Sequence, residues 1–440
     1  MTESRIIRTY HLLAGLYTLA ASLIWGVNTL FLLDAGLSIG EVFVANSVFS
    51  AGMVIFEIPT GVVADTVGRR VSYLLSVVVL GATTLAYVGA AGAGAGVGVF
   101  AAISLVMGLC FTFYSGALEA WLVDALASVG STEELDHVFA RAQQITGGAM
   151  LIGTTAGGLL GQIDLAVPFV VRALLLVLVL VVALRTMHDL GFAPRPLEMS
   201  RIGSELAEQT RVGVAHGWNQ PGLRRLIVAG MIRGAFFGWA FYAAQPYFLE
   251  LLDSDQIWIV GVITALMSLS TIAGNQLVEV LTRSCRRRSS LIIGGSAVAS
   301  VGSVAMGVTD SFWVAVPCFL LVTGSMGVIS PVRQAYVHHV TPSEHRATVI
   351  SFDAMLGSVG GVGGQLSLGR LSDRRGLSAG YVVGGAFTAL ALPVLWSLRR
   401  LGGEADRIVP EGARGGTCAG QGLPRDTHTE SHPRDVVATA

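Results

Sequence analysis

The chain has 440 residues and a formal net charge of −1; 52% of its residues are hydrophobic, only 13% are charged, and its mean hydropathy is +0.66. A water-soluble domain would carry roughly 25% charge, so this is the composition of a membrane-embedded protein. All 28 basic residues are arginines, which excludes a P-loop ATPase, whose lysine must reach the phosphates, and any Schiff-base chemistry. Cys110, Cys285, Cys318 and Cys418 are scattered, with neither metal-ligand spacing nor a disulfide framework, so no metal or cofactor is expected.

The apolar residues come in runs near the twenty or so that cross a hydrocarbon core of about 30 Å. Six such spans are predicted at 10–33, 41–64, 71–90, 96–127, 138–162 and 167–187. The first is long enough to stay as a span rather than serve as a cleaved signal. Six more follow at 224–249, 256–281, 290–308, 312–337, 347–371 and 379–398. The expected fold class is an all-α membrane protein of twelve transmembrane helices in two six-helix halves. Residues 1–190 form one half and 223–402 the other, joined by a polar stretch at 191–222 that reads as an amphipathic surface helix. Residues 403–440, rich in Gly, Pro and charge, are expected to be a disordered tail.

Loop charges predict the orientation. Arg5, Arg8, Arg69, Arg70, Arg141, the linker arginines and Arg283 to Arg288 fall on one side, while the loops at 34–40, 91–96, 163–166, 250–255 and 309–311 carry no base. By the positive-inside rule both termini are cytoplasmic, in the cell's inner (plasma) membrane. Arg374 and Arg375, placed in the last outer loop beside Asp373, are the exception.

Between the second and third spans stands Gly61-Val-Val-Ala-Asp65-Thr-Val-Gly68-Arg69-Arg70. Gly61 and Asp65 are four apart, hence on one helix face; the carboxylate can accept from orphan N–H groups or from an arginine, and Gly68 allows the turn. This stretch resembles the loop between the second and third helices of the major facilitator superfamily, G-x-x-x-D-(R/K)-x-G-(R/K)-(R/K). Gly61, Asp65, Gly68, Arg69 and Arg70 match, and Thr66 departs where a base is usual. The resemblance implies a conformational-switch motif, with Asp124 in the fourth span as a further member of a cytoplasmic charge relay. Pure packing glue is the alternative reading of the same charges.

Ionisable groups within spans are costly and so are functional candidates. Glu57 shares a helix face with Gly61 and Asp65. Glu119 stands in the fourth span where many members of the resembling family carry an arginine, and Asp353 lies just inside the eleventh. Glu119, Glu57 and Asp353 are the proton-coupling candidates; an ion pair with a neighbouring helix, or a contact to cationic substrate, is the other reading of Glu119. Arg233, near the middle of the seventh span, should pair with an acid or bind an anionic group of the substrate.

In the resembling family, spans one, four, seven and ten line a central cavity. Here they offer Trp25, Asn28, Tyr114, Arg233, Trp239, Tyr242 and Gln245, aromatic groups with a few polar ones, which suit a bulky, partly apolar small molecule. Trp and Tyr near span ends are also common interface anchors. In the fifth span Gly153, Gly157 and Gly161 match part of the exporter motif G-x-x-x-G-P-x-x-G-G of drug/proton antiporters, while Gly158 replaces the proline and Gln162 the last glycine. His338, His339 and His345 cluster near a loop and read as solvated rather than as a metal site.

The expectation is a secondary active transporter working by alternating access, exporting a drug or natural product in exchange for protons. Proton-coupled uptake of a nutrient or organic anion is the alternative. An intramembrane enzyme finds no reactive constellation, and a polytopic sensor lacks a folded output domain. The expected partners are a small-molecule substrate, protons and the lipid bilayer, with no nucleic acid, and the resemblance implies a monomer.

Overall fold

The computed structural model describes residues 1–408 apart from 132, 134, 193–202, 204–206 and 209. Helices stand at all twelve predicted spans. The first span is α1 (Glu3–Ser22) and α2 (Asn28–Asp34); α3 (Ile39–Val67), α4 (Arg69–Gly92), α5 (Val97–Ser128), α6 (Leu135–Gly161) and α7 (Val167–Thr186) complete the first half. The second half is α8 (Pro221–Leu252), α9 (Ile257–Ser284), α10 (Arg288–Val308), α11 (Phe312–Val340) and α12 (Arg346–Arg375), then α13 (Leu377–Thr388) with α14 (Ala391–Leu401) as the last span. Among the described residues, 9 helices are long and apolar enough to cross a membrane on composition alone. The first, fifth and eleventh spans fall short, because α1 is interrupted after Ser22 and because α6 and α12 are rich in Gly, Ser, Thr and Gln, with Asp353 also inside α12.

Each half buries an aromatic core of its own. Tyr17, Tyr73, Phe100 and Trp121 belong to the first, and Phe236, Trp239, Tyr247 and Tyr381 to the second. Phe43 of α3 crosses over and packs against Trp239, their ring centroids 5.9 Å apart.

Two boundaries differ from expectation. Arg374 and Arg375 lie in the last turn of α12, not in a loop, and Gly376, at φ +83°, turns the chain straight into α13. Two cations in the last turn interact favourably with the negative end of the helix dipole. Residues 404–406, assigned to the disordered tail, form a 3-10 turn, and buried Asp406 accepts from the backbone N–H (2.7 Å) and hydroxyl (2.9 Å) of Ser289 at the start of α10. That carboxylate caps a helix from a distant part of the chain. The rest of the expected tail, 409–440, lies outside the described residues. Most of the expected linker helix does as well; its described end includes a π-helical turn, Gly213–Trp218, whose Gly217 stands 3.5 Å (from an added Cβ) off Phe352 of α12.

Candidate substrate cavity and gate

The two halves meet at the end that carries residues 34–40 and 373–376. Gln245 of α8 makes the most informative contact. Its Oε1 accepts from the Thr29 N–H, and its Nε2 donates to the Trp25 carbonyl, both at 2.8 Å. Thr29 and Trp25 flank the break between α1 and α2, where the helix leaves backbone groups unpaired. In a hydrocarbon surround such groups need a partner, and one carboxamide from the other half serves two of them. Farther out along the seam the Gly40 N–H donates to Asp373 Oδ1 (3.2 Å) and Gln162 donates to the Asp255 carbonyl (3.2 Å). Toward the middle Gln365 donates to the Ser50 hydroxyl (3.2 Å).

Small residues make this approach feasible. A Cβ added at Gly158 would stand 2.8 Å from the Gly261 Cα, so α6 and α9 touch backbone to backbone. Gly153 and Gly157 face the end of α1 in the same way, with Leu19 O at 2.9 Å from the position of a Gly153 Cβ. The glycines of the exporter-like motif thus serve close packing, and Gly158, where that motif has proline, abuts the other half.

Toward the other end the helices part. Added Cβ atoms at Gly61, Gly116, Gly147 and Gly148 would meet nothing within 4 Å. Glu57 and Glu119 are exposed, and among the described residues neither makes a hydrogen bond or ion pair. Glu119 stands near Tyr10 and Tyr114.

The switch motif folds within the first half. Gly68, at φ +118°, is the junction of α3 and α4, a conformation that favours glycine. Arg69 pairs with Asp65 one turn back and reaches Asp124 on α5, Nε to Oδ2 at 3.4 Å. Arg70 donates its backbone N–H to Asp189 Oδ1 (3.1 Å) and its Nη2 to the Leu184 carbonyl (3.1 Å). Asp189 therefore caps α4, a role the sequence reading missed; an acid just past the sixth span and level with the Gly68 loop was the available signal. Gly61 touches no neighbouring helix in this state.

In the second half, Asp353 pairs with Arg333 of α11 rather than with Arg233. Arg333 lies over α8, its Nη2 2.9 Å from the Cβ position of Gly230. Arg233, one turn farther along, feels both Arg333 and Asp353 but makes no hydrogen bond among the described residues. It lines a cavity of about 350 Å³ with Phe236, Phe237, Phe241, Met267 and Met326. Next to it in sequence, Tyr242 lines a smaller cavity of about 70 Å³ with Trp25, Asn28, Asn46 and Arg172.

Of the expected cavity residues, then, Trp25, Asn28 and Tyr242 come together, and Arg233 lines the larger space. Gln245 holds the seam instead. Trp239 is fully buried between Phe43, Phe236 and Tyr381, and Tyr114 stacks on Tyr17 with centroids 3.5 Å apart. His345 meets His216 of the linker at 4.1 Å between centroids, and no cluster of metal-ligating side chains occurs among the described residues.

A broken first span, glycine seams between two halves and a charged loop after α3 are features a family model can test, and that of the Major Facilitator Superfamily matches residues 11–365. The chain belongs to this superfamily. An MFS-type transporter of Bacillus subtilis (strain 168), YxaM, is 21% identical over 401 residues, covering 89% of this chain and 94% of its own. The nucleoside transporter NupG shares the fold with a TM-score of 0.73 at 12% identity, covering 90% of this chain and 99% of that one. A bacterial homolog of the human lysosomal transporter Spinster, in an inward-facing and occupied conformation, gives 0.70 at 14% identity over 92% and 98%. The D-xylose-proton symporter gives 0.64 at 16% identity over 90% and 97%. The protein is accordingly a multi-pass secondary transporter of the membrane and not an enzyme.

Proposed function

We propose that this superfamily member is a proton-coupled exporter of small organic molecules that carry an acidic group on a bulky, partly apolar body. The observation that carries the reading is Arg233. It is a guanidinium without a hydrogen-bond partner among the described residues, at an aromatic- and methionine-lined cavity of about 350 Å³, while Arg333 pairs with the neighbouring Asp353. That volume suits a drug-sized ligand, and a fork of unused donors suits a carboxylate or sulfonate.

Glu119 carries the coupling proton, with Glu57 as second candidate. Both are exposed acids without partners among the described residues, whereas Asp353 is held by Arg333. The protein works as a monomer in the inner (plasma) membrane. Its termini and the Gly68–Arg70 loop lie in the cytoplasm, so this state opens inward. Export follows from the sign of the charge. An anion leaving a cell whose interior is negative gains about 2.3 kcal/mol per 100 mV, and uptake must climb that gradient. Arg233 would equally serve an inward-moving organic anion, the second reading.

Flux of aromatic acids and their neutral esters into and out of proteoliposomes under an imposed pH gradient tests this. Acids should move outward with respect to the cytoplasmic face, driven by the gradient. Glu119→Gln should abolish the drive, and Arg233→Gln should raise KM for acids by about tenfold or more while sparing the esters. Accumulation only in the inward direction overturns export, and a preference for the esters overturns the anionic substrate.

A further inference from the structure

The smaller cavity holds a charge that nothing in the transporter scheme uses. Arg172 of α7 is 4% exposed, and neither its Nε nor its Nη1 has a hydrogen-bond partner among the described residues. The groups that act on it electrostatically are the hydroxyls of Tyr17 and Tyr87 and the thiol of Cys110, all neutral near pH 7. Among the described residues no carboxylate pairs with it. A guanidinium does not give up its proton in proteins, and a buried charge without a counter-charge costs several kcal/mol. An anionic partner would offset that cost.

The lining says what kind. Asn28 donates to Asn46 Oδ1 at 3.1 Å, which fixes the carboxamide and leaves Asn46 Nδ2 without an acceptor. Arg172 and Asn46 line the same cavity, and each has a donor atom without an acceptor among the described residues. The volume is about 70 Å³. One water takes roughly 30 Å³, so there is room for a small ion and a water. Organic ligands occupy pockets of roughly 300–1,000 Å³, which excludes the cargo as a whole.

We propose that Arg172 and Asn46 hold a small inorganic monoanion of halide size in this cavity. Tyr242, from the other half, completes the wall. The anion therefore sits where the halves meet and favours the state in which this end is sealed, since a ligand stabilises the state that binds it. The site stands on Arg172 and its neighbours alone and does not rest on the anionic-substrate reading.

The test is a bromide titration of the purified full-length protein in detergent, from a halide-free gluconate buffer, reading Tm. The wild type should show a saturable rise, and Arg172→Gln should weaken the apparent affinity by about tenfold or more. Because a loss at Arg172 could reflect misfolding, Asn46→Asp provides the second reading. It keeps the acceptor for Asn28, gives Arg172 a built-in carboxylate, and should match or exceed the halide-free Tm of the wild type while losing the response to bromide. Equal bromide responses in all three proteins, or none in the wild type, would overturn the site. A rise with benzoate and not with bromide would assign Arg172 to the organic substrate and equally overturn it. Transport need not be active for any of these outcomes to be read.

Discussion

The glycines of the seam and those near the Gly61–Arg70 motif differ in their surroundings. At the sealed end Gly158 stands against the Gly261 backbone, with no room for a larger group, and Gly40 lies under Asp373. Toward the open end Gly61, Gly116 and Gly147 are just as small but face empty space. The polar side chains divide likewise. Gln245 and Asp373 cross between halves at the sealed end, whereas Asp65, Arg69, Arg70, Asp124 and Asp189 all bond within the first half. An interface that is assembled at one end and dispersed into local pairs at the other is what alternating access requires of a single state. The open end already holds the small residues and charges with which it could close.

Overpacking the seam should have the largest effect. Gly158→Leu places side-chain atoms where the Gly261 backbone now lies, at a cost of about 1–3 kcal/mol or more. The sealed state should lose roughly ten- to a hundredfold in population, and flux in proteoliposomes should fall accordingly. Normal flux would mean that this contact is not part of the cycle. Gln245→Leu should come next. It leaves the Thr29 N–H and Trp25 carbonyl without partners, each worth about 1–3 kcal/mol when buried. Labelling of Ser50→Cys by an impermeant maleimide from the sealed side should accelerate by about tenfold or more. Unchanged labelling would remove Gln245 from the seal.

The smallest effect belongs to the open end. Asp65 is 37% exposed and Arg69 keeps Asp124 as a second partner, so solvent screening limits the pair to about 1 kcal/mol or less in this state. Asp65→Asn should therefore leave Tm nearly unchanged while slowing flux, because the lost carboxylate acts when this end closes. A drop in Tm as large as that of Gly158→Leu would contradict the contrast between the ends.

Much of the fold was legible because membrane-length apolar runs and loop arginines are local signals. The Gly61–Arg70 motif was legible for the same reason: Asp65 and Arg69 are one helical turn apart. The partners that stayed hidden are long-range. Asp353 could have gone to Arg233 or Arg333, and only the packing of α11 over Gly230 decides for Arg333. Gln245 looked like a cavity residue because a sequence does not announce that a distant helix is broken and needs its carboxamide. That Arg172 has no acid partner among the described residues emerges only when the helices around it are placed. Arg374 and Arg375 contradicted the loop-charge pattern until they proved to end a helix.

Locking the sealed end is the most direct test of alternating access. A Cβ added at Gly40 would stand 3.4 Å from the Asp373 Cβ, close to the roughly 3.5–4.5 Å of a disulfide. The double variant Gly40→Cys/Asp373→Cys, in a background without the native cysteines, should cross-link readily under oxidation. Flux in proteoliposomes should then stop and return on addition of reductant. Full flux through the cross-linked protein would contradict a cycle in which this end must open.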